Sequence, residues 1–242
     1  MKPVTIAMWS GPRNISTAMM RSFENRDDAF VSDEPFYAHY LNQTGVDHPM
    51  REEILNEGEI NWNQISNYIT GDIPHNKSIW YQKHMAQHNL PEVNLEWTKK
   101  VNNCFLIRDP AEVIISYSKK FEITSINQLG FPQQIVLYNY IAKQMESLPI
   151  VLDSKDLLKN PKNILEKLCE KLNIPFMESM LSWPTGKRDS DGIWGQHWYG
   201  NVEQSTGFQK YKKENEKIPP KYFSIYEKCI NYYQKLYERR LN

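Results

Sequence analysis

The residues 10–17 read Ser10-Gly11-Pro12-Arg13-Asn14-Ile15-Ser16-Thr17, after an apolar run from Val4 to Trp9 and before an apolar-periodic segment ending near Asn25. The loop therefore joins a strand to a helix. Such a junction can aim the unpaired N–H groups of the first helical turn at an anion, with the helix dipole adding a favourable field. Arg13 adds a formal charge. A second pair has the same character: Arg108 leaves an apolar run just before Asp109 and Pro110, a natural N-cap and first helical residue. Ser116 falls about two turns further on the same helical face as Asp109, so Arg108 and Ser116 can meet one anion.

Titratable groups close the other apolar runs: Asp33-Glu34, Lys83-His84 and Asp153-Ser154. His84 and His88 are four residues apart, half of a helical metal site, but no His-Glu-x-x-His motif accompanies them and no metal is expected.

Regular elements must hold these groups in place. Strands are expected at residues 29–32, 78–82, 103–107 and 150–152, the third an unbroken apolar run of the kind parallel sheets bury. Helices are expected from Phe36 to Asn42, over a polar stretch reaching about Lys100, from Pro110 to about Lys120, from Pro132 to Ser147, from Pro161 through Lys171, and from Pro219 to about Arg240. Strands alternating with helices imply a three-layer α/β fold, a mostly parallel sheet with helices on both faces. Ligands of such sheets bind at the carboxyl ends of the strands, where the polar groups above collect.

Residues 44–76 read as a mostly polar insertion over one edge. Residues 183–207 have no usable period and carry Trp194, His197, Trp198 and Tyr199, as expected of a lid or binding loop. Phe36, Tyr37, His39, Lys83 and His88 join Trp194, His197 and Trp198 as candidate walls for a small, partly apolar molecule.

Twenty-nine basic residues balance 29 acidic ones, so no global field draws the protein to nucleic acid or anionic lipid. No run of about eighteen apolar residues suggests a membrane span, and the start of the chain has no apolar leader; a cytoplasmic protein is expected. Cys104, Cys169 and Cys229 are in no metal or disulfide spacing and suit core packing. There is no internal repeat, and residues 1–242 are expected to form one domain.

Residues 11–17 resemble the phosphosulfate-binding loop of the sulfotransferases, notably the bacterial form Pro-Arg-Ser-Gly-Ser-Thr. Arg108-Asp109-Pro110 with Ser116 resembles that family's second signature, an Arg-Asp-Pro with a serine eight residues after the arginine. Asn14 and Ile15 stand where the bacterial loop has Ser-Gly, and Lys187-Arg188 ahead of Gly192 is the nearest counterpart of the usual Arg-Lys-Gly segment.

The resemblance implies a P-loop NTPase-like fold and sulfuryl transfer from 3′-phosphoadenylyl sulfate (PAPS) to a hydroxyl or amine of a small-molecule acceptor. It assigns Gly11, Pro12, Arg13, Asn14, Ile15, Ser16, Thr17, Arg108 and Ser116 to the donor. Arg13 would also neutralise the leaving phosphate, and Glu34 or His84 would be the base. Two other readings stay open, an ATP-dependent phosphotransferase and a non-catalytic nucleotide-binding module. Against the first, a Walker A loop needs Gly-Lys where this chain has Ser16 and Thr17.

Overall fold

The apolar run at the start of the chain is the middle of a sheet because it is buried on both faces. In a computed structural model that describes residues 2–145, 147–213 and 216–241, β1 (Val4–Ser10) lies between β3 (Ile79–Met85) and β4 (Asn102–Ile107). β2 (Ala29–Asp33) and β5 (Ile150–Asp153) are the edges, giving the order β2-β3-β1-β4-β5 with every pairing parallel.

Alternate side chains feed two separate cores. Ile6, Met8, Cys104, Leu106 and Leu152 pack against Met19, Met20 and Phe23 of α1 (Ser16–Glu24) and Ile164, Leu165 and Leu168 of α8 (Pro161–Lys171). Ala7, Trp9, Phe105, Ile107 and Val151 pack against α5 (Pro110–Ser118), α6 (Phe131–Gln144) and α11 (Phe223–Tyr237). This is the expected three-layer arrangement. All three cysteines are buried and unbridged within it.

Local signals set the helix starts. The Asp109 side chain accepts from Ala111 N with Pro110 at the first helical position, and Asn160 caps α8 the same way ahead of Pro161. Asp153 caps α7 (Ser154–Lys159), a short helix the apolar pattern does not announce.

The insertion carries α3 (Arg51–Glu57) and α4 (Trp62–Ile69) beside α2 (Tyr37–Thr44). The expected helix up to Lys100 is absent; two 3-10 turns, Ala86–His88 and Glu96–Lys100, take its place. Pro91 breaks the run, and Asn94 turns its side chain onto Glu96 N instead of continuing a helix. α6 stops at Gln144, where Met145 is already extended; its expected end at Ser147 runs across residue 146, outside the described residues. The aperiodic loop holds two single turns, α9 (Gly195–Trp198) and α10 (Gly200–Glu203). No helix among the described residues is long and apolar enough to cross a membrane.

The loop after β1 is wedged against the backbone before α6. A Cβ on Gly11 would stand 2.5 Å from the Leu129 carbonyl oxygen, a clash with main chain rather than with a flexible side-chain end. Gly11→Ala is therefore expected to lower unfolding free energy by about 1–3 kcal/mol in chemical denaturation; unchanged stability would show that this loop yields freely.

Candidate active site

The loop between β1 and α1 adopts the geometry an anion cradle needs, without glycine to make it easy. Arg13 (φ 61°) and Ile15 (φ 52°) are both left-handed, with Asn14 between them, and Ile15 is the N-cap of α1. A β-branched residue in that region costs about 1–3 kcal/mol, so surrounding contacts must impose it. They do. Buried Asn14 donates to the Leu106 carbonyl at 2.6 Å and accepts from Ser154, pinning the loop to the ends of β4 and β5. α1 begins with no side-chain cap and no acidic residue in its first turn, so its leading N–H groups face the cleft without a competing carboxylate.

Arg13 Nε donates to Ser116 Oγ at 3.0 Å, and Arg108 donates to the Arg13 carbonyl at 2.7 Å while its Nε pairs with Glu112 at 2.9 Å. The residues the sequence marks as two anion contacts thus form one cluster. Burial, then the neighbouring Arg108 charge, lowers the Arg13 pKa.

A second cluster closes the other side. Asp33 and Lys83 are paired in register across β2 and β3. Lys83, 1% exposed, donates to Asp33 at 2.8 Å, to Glu34 at a short contact, and to the Tyr199 hydroxyl at 2.8 Å. The Tyr199 hydroxyl in turn donates to Asp33 at 2.7 Å. Lys83 is held protonated, its pKa well raised by Asp33 and Glu34 against a large burial penalty. Burial raises the Glu34 pKa; the Lys83 charge opposes this and the Asp33 charge adds to it. With Lys83 shared between two carboxylates, Glu34 remains a more basic carboxylate than usual.

The rings of Tyr37 and Tyr40 stack on His88 with centroids 4.8 and 4.7 Å away, and His88 Nε2 is 3.9 Å from Glu34 Oε2. Burial first, then nearby positive charge, keeps His88 neutral.

Arg13, Arg108 and Ser116 of the first cluster and Glu34, Lys83 and Tyr199 of the second line one cavity of about 950 Å³ at the carboxyl ends of the strands, with residues 12–18, Tyr37, His88, Trp194 and Trp198 also in its wall. Five expected site residues are outside the wall. His84 follows Lys83 on β3 and so faces the opposite side of the sheet. It stacks on Trp9 at 4.5 Å, and burial lowers its pKa to about 3, with the Lys83 charge contributing. It does not reach the cavity and is corrected as a base. Phe36 stacks on Trp62 at 3.9 Å and His39 bonds the Ile60 carbonyl at 2.7 Å, both inside the fold. His197 is exposed outside the wall. Gly11 supports the cradle from behind, against Leu129.

Lys187 and Arg188 also lie outside the cavity, Arg188 beside Glu24 at 3.6 Å. Residues 207–212 line it instead, with Tyr211 bonded to Glu112 at 2.7 Å. Sequence reasoning also missed Tyr40, His48 and Tyr117 as wall residues, and the bonds of Asp33 and Tyr199 to Lys83; the adjacent Asp33-Glu34 pair and the aromatic loop that carries Tyr199 were the signals present. Among the described residues no group of three or more His, Cys, Asp or Glu side chains is placed to hold a metal ion.

A parallel five-stranded sheet with helices on both faces and a strand–loop–helix turn after its central strand has the P-loop NTPase-like α/β fold. The profile of the sulfotransferase domain matches residues 4–224, and the chain belongs to that family. It is 34% identical over 94% of its length to branched-chain-amino-acid aminotransferase-like protein 2 of Arabidopsis thaliana, and 35% identical over 96% to the corresponding protein 1. The chain spans only 40% and 41% of those two proteins. In fold it is similar to the sulfotransferase domain of the curacin biosynthetic pathway, with a TM-score of 0.56 and 15% identity over 94% of this chain and 98% of that one. The sulfotransferase domain of the Synechococcus PCC 7002 olefin synthase gives a TM-score of 0.51 at 13% identity, with 95% of each chain covered.

Lys83→Met would leave two buried carboxylates without their cation. The expected cost is about 3–5 kcal/mol in unfolding free energy. The remaining carboxyls would bind protons more tightly folded than unfolded, so the deficit should shrink as pH falls. A deficit independent of pH would count against the pairing.

Proposed function

We propose that the protein transfers a sulfuryl group from PAPS to a hydroxyl or amine of a small-molecule acceptor. The observation that carries this reading is one cavity with Arg13 ahead of α1, Arg108 after β4 and Ser116 of α5 on one side and Glu34 on the other. PAPS, when bound, supplies the sulfuryl group and departs as adenosine 3′,5′-bisphosphate. The cradle suits its anionic groups: leading N–H groups of α1 without an acidic neighbour, and two arginines whose mutual repulsion a phosphate relieves.

In this reading Pro12, Arg13, Asn14, Ile15, Ser16 and Thr17 embrace the phosphosulfate side, with Arg13 set against the charge that grows on the leaving phosphate. Arg108 and Ser116 hold the second phosphate. Glu34 accepts the acceptor's proton as its oxygen or nitrogen bonds to sulfur and the sulfur–oxygen bond to the phosphate breaks. Its Oε1 is engaged by Lys83, leaving Oε2 for that proton. Tyr37, His88, Trp194 and Trp198 enclose the acceptor.

Thermal-shift titration tests the donor. Adenosine 3′,5′-bisphosphate is expected to stabilise the protein more than Mg-ATP at equal concentration, and stabilisation by ATP alone would overturn the reading. Loss of the charge-assisted contacts in Arg108→Ala should weaken bisphosphate binding by roughly tenfold or more in calorimetry.

Glu34→Gln should leave that affinity within about threefold yet slow transfer by about 10²–10⁴-fold. Equal loss of donor affinity in both variants would remove Glu34 from the base role. In the unmodified protein the rate should fall as pH drops through the raised Glu34 pKa, because a protonated carboxyl cannot accept the proton. That acid limb should lie above the ordinary glutamate range; an acid limb that persists in Glu34→Gln would assign it to another group.

A further inference from the structure

Charge is distributed unevenly along the cavity. On the side of α5 and α7 its wall contains Arg13 and Arg108, together with Lys210 and Lys212 of the segment that runs beside α7. That segment is anchored by Tyr211 N donating to the Leu158 carbonyl at 3.3 Å and by the Tyr211 hydroxyl on Glu112.

The opposite side has one cation in its wall, Lys83, already shared between Asp33 and Glu34. With both carboxylates ionised, the cluster of Glu34 in the wall, Asp33 behind it and Lys83 between them carries one formal negative charge. The two imidazoles on this side do not change the balance, since burial holds both His48 and His88 toward the neutral form. Lys120, near this rim, contacts the His197 carbonyl at 3.4 Å and is not part of the wall.

Much of the remaining wall is aromatic. Tyr37 and Tyr40 flank His88, the Trp194 ring meets Tyr37 edge-on at 4.9 Å, and Trp198 closes the side nearest His48 at 6.4 Å. Aromatic rings beside a carboxylate favour a cation, and among the described residues this end offers an incoming carboxylate no cation that is not already paired.

Resting on the sulfotransferase reading above, we infer that the acceptor is an aromatic or apolar alcohol bearing an amine, and that acceptors carrying a carboxylate are rejected by the pocket around Glu34, Tyr37, Tyr40, Trp194 and Trp198. The basic half of the cavity is left to the donor. The polarity keeps the two substrates in their own halves: a polyanion placed among the rings would face Glu34, and an ammonium placed in the cradle would face Arg13 and Arg108.

Three phenols separate the possibilities, since tyramine, tyrosol and 4-hydroxyphenylacetate share a ring and differ in carrying an ammonium, a neutral hydroxyl and a carboxylate. Each is titrated by calorimetry into the protein with saturating adenosine 3′,5′-bisphosphate and again without it. Tyramine is expected to bind about tenfold or more tighter than 4-hydroxyphenylacetate, with tyrosol between. Val46→Lys, which adds a cation to the half-buried wall, should narrow that gap by about threefold or more.

Equal or tighter binding of the carboxylate, or no binding of any of the three, would overturn the inference. Failure of the bisphosphate to bind would instead overturn the donor reading, and the titrations without nucleotide would still give the order of the phenols.

Discussion

A lysine ammonium buried to 1% exposure is tolerable only where its charge is answered, and Lys83 is answered three times over, by Asp33, Glu34 and Tyr199. Those partners come from the end of β2 and from a loop more than a hundred residues further along the chain. Their bonds to one nitrogen close the cavity. They bring the aperiodic loop down onto the sheet, where Trp194 Nε1 also reaches the Tyr199 hydroxyl at 3.2 Å and Gly192 N reaches Asp33 at 3.1 Å. The same sharing leaves Glu34 with an oxygen not bonded to Lys83 and a raised affinity for a proton. Structure and chemistry depend on one charge balance.

The opposite end of the cavity is organised by strain rather than by ion pairing. Two left-handed, non-glycine residues turn the chain after β1, and Asn14 between them is bonded to β4 and to the first residue of α7. The bacterial motif has a glycine at the position of Ile15. Here Ile15 takes the left-handed conformation, and its side chain packs against the core beneath α1, so apolar burial offsets part of the backbone cost. The conformation of this loop is therefore imposed by its bonds to the sheet and to α7, which fits the preorganised anion cradle that the proposed function calls for.

Much of the architecture could be read from local chemistry. The buried strand at 103–107 and the Asp109-Pro110 and Asn160-Pro161 helix starts depend on neighbours within a few residues, and the structure has them where the pattern puts them. Errors came where a local signal had two physical outcomes. Polar residues before Lys100 suit a helix, yet Pro91 and the Asn94 side chain redirect the backbone into 3-10 turns. Lys83 and His84 look equivalent at a strand end, but a strand sends adjacent side chains to opposite faces. One meets Glu34 and the other disappears among Trp9, Phe36 and Trp97.

By itself, the sequence determined which strand ends carry polar groups and which helices begin beside them, because caps, turns and apolar runs act over a few residues. It also supplied the two motifs, at residues 11–17 and 108–116, that point to the family. Only the tertiary structure decided that Ser116 would meet Arg13, that Tyr199 would meet Lys83, and that residues 207–212 rather than Lys187-Arg188 would line the cleft. Those contacts join segments about 100 residues apart or more, and no local preference encodes them. They follow from the order in which five parallel strands pack and from the need of each buried charge to find a partner.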